Sequence, residues 1–145
     1  MNMSQPNRIL ESTPIAGNEP DIEQQIVDVV YVDDDPLFCQ IVSRELDKTT
    51  LSYRCFEDVA EALVFLESHD TRTLISDYRM PEMDGIQFLR GAQQLGNNVS
   101  TFIASAAGLH KDIEREVRDL NAQILLKDRF LESGFLRDLC TNPAQ

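Results

Sequence analysis

Two hydrophobic periods alternate along this chain, and their order predicts its architecture. Ile26-Val27-Asp28-Val29-Val30-Tyr31-Val32 is a β-branched run, suited to a central parallel strand covered on both faces. Leu37, Phe38, Ile41, Val42 and Leu46 follow at helical spacing, with Asp35 as N-cap and Pro36 at the first helical position. Leu51, Tyr53 and Cys55 alternate with polar residues as a short second strand, and Asp58 opens a helix bearing Val59, Ala62, Leu63 and Leu66. A third strand ends Leu74-Ile75-Ser76-Asp77, before a turn-rich segment through Met80-Pro81 and Asp84-Gly85. A third helix holds Ile86, Leu89 and Ala92 and stops at Leu95-Gly96. Thr101–Ala104 is a fourth strand, and a charged helix from about Lys111 to Leu120 buries Ile113, Val117 and Leu120. Ile124-Leu125-Leu126 is a fifth strand, and a final helix places Leu131, Phe135 and Leu139 on one face, weakened at Gly134.

Five strand–helix repeats predict an α/β fold: a doubly wound, five-stranded parallel sheet with helices on both faces. Residues 1–24, with Pro6, Pro14, Gly17 and Pro20 among polar positions, are expected to be a disordered N-terminal tail. Residues 25–141 form the domain and 142–145 a C-terminal tail. At 145 residues the chain is one domain by size. Its net charge of -12 would repel phosphate backbones, so direct nucleic-acid or anionic-membrane binding is disfavoured. No apolar run reaches membrane-spanning length. Cys39, Cys55 and Cys140 are odd in number and lack paired metal-ligand spacing, which reads as free thiols in a reducing cytoplasm.

Four of the five strands end on a functional group: Asp33 and Asp34, Asp77, Ser105, and Lys127. In a doubly wound sheet those ends share one rim, where ligands bind. Asp35 is accounted for by capping, whereas adjacent carboxylates at a strand end repel unless a cation or proton relieves them. Two or three carboxylates with water make the oxygen site that Mg²⁺ or Mn²⁺ prefers. A hydroxyl and an ammonium opposite supply donors to phosphoryl oxygens, and a carboxylate beside a divalent cation can attack phosphorus.

Val32-Asp33-Asp34-Asp35-Pro36, Ser76-Asp77-Tyr78-Arg79-Met80-Pro81-Glu82-Met83-Asp84-Gly85, Ser105-Ala106 and Lys127 together resemble the receiver domain of two-component response regulators, a flavodoxin-like fold, over roughly residues 26–140. The resemblance implies that Asp77 is the phosphoacceptor, served by a histidine kinase or a histidine phosphotransfer protein. Asp34, Asp77 and the backbone carbonyl of Arg79 would bind Mg²⁺, with Asp33 assisting through water. Ser105 would turn toward the phosphoryl group and Lys127 would pair with it. The face of the fourth helix, fifth strand and fifth helix would then signal to a downstream protein, and the resemblance also allows homodimers.

Two positions depart from the family pattern. Asp128 follows Lys127 where a cis proline is common, which leaves the lysine's placement open. Ile124 stands where the family has its aromatic switch residue. With only Thr141–Gln145 after residue 140, a stand-alone receiver of a two-component system or phosphorelay is expected, a receiver excised from a longer chain being the other reading. Two alternatives stay open. One is a degenerate receiver that binds partners without phosphorylation. The other is a haloacid-dehalogenase-type phosphatase with Asp33 as nucleophile and Asp35 as general acid. His69 and His110 read as surface residues, and Met80 and Met83 as packing beneath the loop.

Overall fold

In the computed structural model, residues 15–16, 26–96 and 99–141 are described. The elements are β1 (Ile15–Ala16), β2 (Ile26–Val32), α1 (Pro36–Asp47), β3 (Tyr53–Phe56), α2 (Val59–Ser68), β4 (Asp70–Asp77), α3 (Gly85–Gln94), β5 (Ser100–Ser105), α4 (Lys111–Asp119), β6 (Ala122–Leu126), a 3₁₀ turn (Lys127–Leu131) and α5 (Phe135–Thr141). The sheet order is β1-β3-β2-β4-β5-β6. Strands β2 to β6 run parallel, as the five repeats require. β1 is an addition: Ile15 and Ala16 pair antiparallel with Cys55 and Arg54, inside the segment expected to be a disordered tail. The rest of that segment, and residues 142–145, lie outside the described residues.

The β-branched β2 buries both faces. Val30 and Val32 pack with Ala62 and Leu66 of α2, Phe88 and Leu89 of α3 and Val117 of α4. Val29 and Tyr31 pack with Cys39, Val42 and Leu46 of α1, Phe130, and Leu136 and Cys140 of α5. Local chemistry sets the helix starts. Asp35 and Asp58 accept from the amides of Leu37 and Ala60, and Asp84 forms a reciprocal capping box with Gln87. Gly96, at φ +88, ends α3 in the left-handed region. Met80 and Met83 pack against the core beneath their loop.

The single final helix expected from Leu131, Phe135 and Leu139 is corrected. A 3₁₀ turn and a short helix replace it, separated by Gly134 at φ +79. The tighter turn and the left-handed break reset the register. Phe130, Leu136 and Cys140 are the buried positions, while Leu131 points out, 66% exposed.

Candidate functional site

The loops after β2, β4, β5 and β6 meet at one end of the sheet and bring the expected acids together. One carboxylate oxygen from each of Asp33, Asp34 and Asp77 lies within 4.8 Å of the others. Asp34 is exposed, Asp33 fully buried and Asp77 8% exposed. Lys127 enters from the 3₁₀ turn and bridges two of them, with Nζ 2.7 Å from Asp33 Oδ2 and 3.0 Å from Asp77 Oδ1. Among the described residues no peptide bond is cis. A trans Lys127–Asp128 bond therefore delivers the lysine to the acids without the family's proline. Ile124, at the position lacking an aromatic ring, is partly buried against the core.

Ser105 is buried at the end of β5. Its hydroxyl donates to the Ala107 carbonyl and accepts from the Ala107 amide at 3.3 Å, so it engages its own loop rather than the acids. Arg79 is exposed in the loop after β4, within the segment that α3 ties back. Gly85 N–H donates to the Tyr78 carbonyl at 2.8 Å. A β-carbon at Gly85 would collide with the Asp77 carbonyl and reach 2.8 Å from Ile103 Cδ1. Glycine is thus required where α3 starts directly against the Asp77 backbone.

Burial, then the Asp33 charge, push the Asp77 carboxyl up to about 6, against the opposing pull of Lys127. For Lys127 burial works against the charge, but the hydrogen bonds and charges of Asp33 and Asp77 prevail and hold the ammonium above its ordinary range. One lysine thus partly neutralises three clustered carboxylates. That donor set, all oxygen and still carrying excess negative charge, fits a small divalent cation.

Sequence reasoning missed two participants. The Tyr31 hydroxyl donates to Asp33 Oδ2 at 2.6 Å, and the Phe38 ring lies 4.2 Å from Lys127 Nζ. The signal for Tyr31 was present: in a strand, residues two apart share a face, so this phenol precedes Asp33 on the same side. Asp33 thus already holds three donors, because its Oδ1 also accepts from the Asp35 amide at 2.9 Å. The phosphatase alternative needed Asp33 as an open nucleophile and Asp35 as a free acid. Instead Asp33 is wholly enclosed and Asp35 Oδ1 caps α1. His110 caps α4, its Nδ1 accepting from the Asp112 amide at 3.1 Å. His69 stacks on Phe65 with ring centroids 3.9 Å apart.

A family model described as response regulator receiver domain matches residues 29–132. In sequence the chain is similar to the rice two-component response regulator ORR13, 40% identical over 62 residues, which is 42% of this chain and 51% of that one. It is also similar to the DNA-binding transcriptional regulator NtrC of Escherichia coli strain K12, 35% identical over 89 residues, 61% of this chain and 18% of that one. The matched region spans about half or less of these curated relatives. Among solved structures, the signal receiver domain of NarL from Mycobacterium tuberculosis is 30% identical with a TM-score of 0.65, covering 80% of this chain and 97% of that one. The receiver domain of the histidine kinase CKI1 from Arabidopsis thaliana, complexed with Mg²⁺ and BeF₃⁻, shares the fold at 20% identity and TM-score 0.65, covering 79% and 89%.

Proposed function

Since this chain belongs to the response regulator receiver domain family, we propose that it accepts a phosphoryl group on Asp77 in a Mg²⁺-dependent reaction and signals through protein contacts. The observation that carries this reading is the bridge from Lys127 Nζ to Asp33 Oδ2 and Asp77 Oδ1, at 2.7 and 3.0 Å, beside the third carboxylate of Asp34. It supports the reading because an ammonium and the carboxylate that would attack phosphorus lie together on one rim of the sheet. The CKI1 receiver with Mg²⁺ and BeF₃⁻ supports a divalent metal here by analogy of fold.

Asp34, Asp77 and the Arg79 carbonyl hold the cation, with Asp33 in its outer shell. Bound Mg²⁺ supplies neutralising charge between the carboxylates and the phosphoryl oxygens. Lys127 holds Asp77 Oδ1, which leaves the other oxygen to attack phosphorus. The bond from phosphorus to the donor's nitrogen or oxygen breaks, and the leaving group departs with its electron pair. A histidine kinase or histidine phosphotransfer protein is the donor class. Lys127 then pairs with the transferred group, and Ser105 leaves the Ala107 carbonyl to donate to it, a local charge event that a packed surface can read. A cytoplasmic regulator or phosphorelay intermediate, able to meet a second copy through the α4 region, completes the proposal. The seating of Lys127 on two acids favours an active receiver over a binding module that dispenses with phosphorylation.

Intact-mass spectrometry after incubation with acetyl phosphate tests this. The wild type should gain one phosphoryl group only with Mg²⁺, and Asp77→Asn should gain none. Equal uptake by the variant would move the phosphoacceptor elsewhere, and no uptake by the wild type with Mg²⁺ or with a histidine phosphotransfer donor would leave the binding module as the better reading.

A further inference from the structure

Asp33 Oδ2 accepts two short hydrogen bonds, from Tyr31 at 2.6 Å and from Lys127 at 2.7 Å. This duplication is unusual in a strand that is otherwise aliphatic apart from Asp28. Only one of the two donors can move. Lys127 is a flexible ammonium with three partners: Asp33, Asp77 and the face of Phe38. Tyr31 is fixed. It is fully buried, and Phe130, also fully buried, packs edge-on against its ring at 5.8 Å and 81°. Lys127 and Phe130 stand three residues apart in the 3₁₀ turn, a spacing that puts them on the same side. One turn therefore delivers the mobile lysine and the ring that immobilises the tyrosine.

We infer that Tyr31 is a positioning residue for the cation and phosphoryl site: its hydroxyl stays on Asp33 when Lys127 is drawn toward other partners. The inference rests on the receiver reading above. In that reading Lys127 must give up part of its hold on Asp33, either when a divalent cation arrives among the carboxylates or when it pairs with a phosphoryl group on Asp77. A buried carboxylate deprived of its ammonium is left uncompensated. Tyr31 supplies a donor to that same oxygen from below, so Asp33 keeps its orientation and the lysine is released at lower cost. The Asp35 amide holds the other oxygen, and the carboxylate is thereby fixed at both ends whether or not Lys127 stays. Losing a hydrogen-bonding partner of a direct ligand weakens metal binding by roughly ten- to a hundredfold; Asp33 acts through water, so the loss of the Tyr31 donor falls below that range.

The test is calorimetric titration of MgCl₂ into the wild type, Tyr31→Phe and Tyr53→Phe. The Tyr53 hydroxyl is likewise inside the protein but serves Ser43 and Asp47, away from the site, so its variant reports merely structural loss. Tyr31→Phe should weaken Mg²⁺ affinity by about three- to tenfold, and Tyr53→Phe should stay within about twofold of the wild type. A second readout is spectroscopic. The chain has three tyrosines and no tryptophan, so the near-ultraviolet difference spectrum on adding Mg²⁺ is dominated by phenol environments. The wild type should show a tyrosine difference that Tyr53→Phe retains and Tyr31→Phe reduces, the remainder coming from Tyr78 between Asp77 and Arg79. Unchanged affinity in Tyr31→Phe, or a difference spectrum identical in Tyr31→Phe and the wild type, overturns the inference while leaving phosphoryl uptake on Asp77 standing. A wild type that binds no Mg²⁺ overturns both.

Discussion

Replacing Asp77 by Asn should stabilise the metal-free protein near neutral pH. In the folded chain burial and the neighbouring Asp33 charge raise the Asp77 carboxyl from 3.8 to about 6. A carboxyl with a raised folded-state pKa binds its proton more tightly when folded than when unfolded. The associated stability is complete below the unfolded value and is lost as pH rises through the folded one. At about 1.4 kcal/mol per pH unit, that interval costs the wild type about 3 kcal/mol by pH 7. Asparagine cannot ionise, keeps an oxygen for Lys127 and leaves that lysine its Asp33 partner at 2.7 Å. Urea unfolding in EDTA, followed by circular dichroism, should therefore give a stability difference in favour of the variant that grows from about 1.5 kcal/mol at pH 5 to about 3 kcal/mol at pH 7 and then levels off. Taking the difference between the two proteins removes the contributions of every other titrating group. Saturating Mg²⁺ should shrink it, because the cation relieves the charge in the wild type alone. A difference that is flat from pH 5 to pH 7, or a variant less stable than wild type at pH 7, would refute the assignment of Asp77 as a carboxylate ionised at the expense of folding.

Lys127→Met should destabilise the metal-free protein by about 3–5 kcal/mol in the same assay, because two buried carboxylates lose their shared ammonium; a loss below about 1 kcal/mol would contradict the bridge. Asp34→Asn, at an exposed position, should leave the urea midpoint nearly unchanged yet weaken Mg²⁺ binding by more than about tenfold, as read by calorimetry. Gly85→Ala should cost about 1–3 kcal/mol, since its β-carbon has only the Asp77 backbone and Ile103 to displace, and a wild-type melting temperature would show that α3 can shift freely. Cys39, Cys55 and Cys140 are free and buried, with burial pushing the Cys55 and Cys140 thiols up to about 12; a thiol reagent at about pH 8 should react with them only on the timescale of unfolding, and rapid native labelling would contradict their burial.

Most of the fold was legible because its signals are local and mutually consistent. Asp35-Pro36, Asp58 and Asp84 each cap a helix whose apolar positions face the sheet, and the strand ends carry the acids. The α5 region was misread because periodicity over Leu131, Phe135 and Leu139 presumes one continuous 3.6-residue helix. Gly134, in the left-handed region, breaks that premise and hands the core to Phe130 and Leu136. The β1 strand was invisible because two residues carry no period, and their pairing with Cys55 and Arg54 is decided by an available sheet edge.

At the site, residue type predicted membership but not partnership. Asp33 and Asp34 are indistinguishable as letters, yet one is wholly buried and the other exposed. Their place at and beyond the end of β2 decides this. Asp33 shares the face of Tyr31, which α1, the 3₁₀ turn and α5 cover, so it meets Lys127 and the phenol. Asp34 turns outward over the open rim. The buried acid is thus fixed by donors, while the exposed one remains accessible to a ligand from solvent. Two adjacent carboxylates thereby acquire different surroundings, one held by the lysine and the other open to solvent. The buried acids, Asp33 from the end of β2 and Asp77 from the end of β4, are the pair Lys127 bridges.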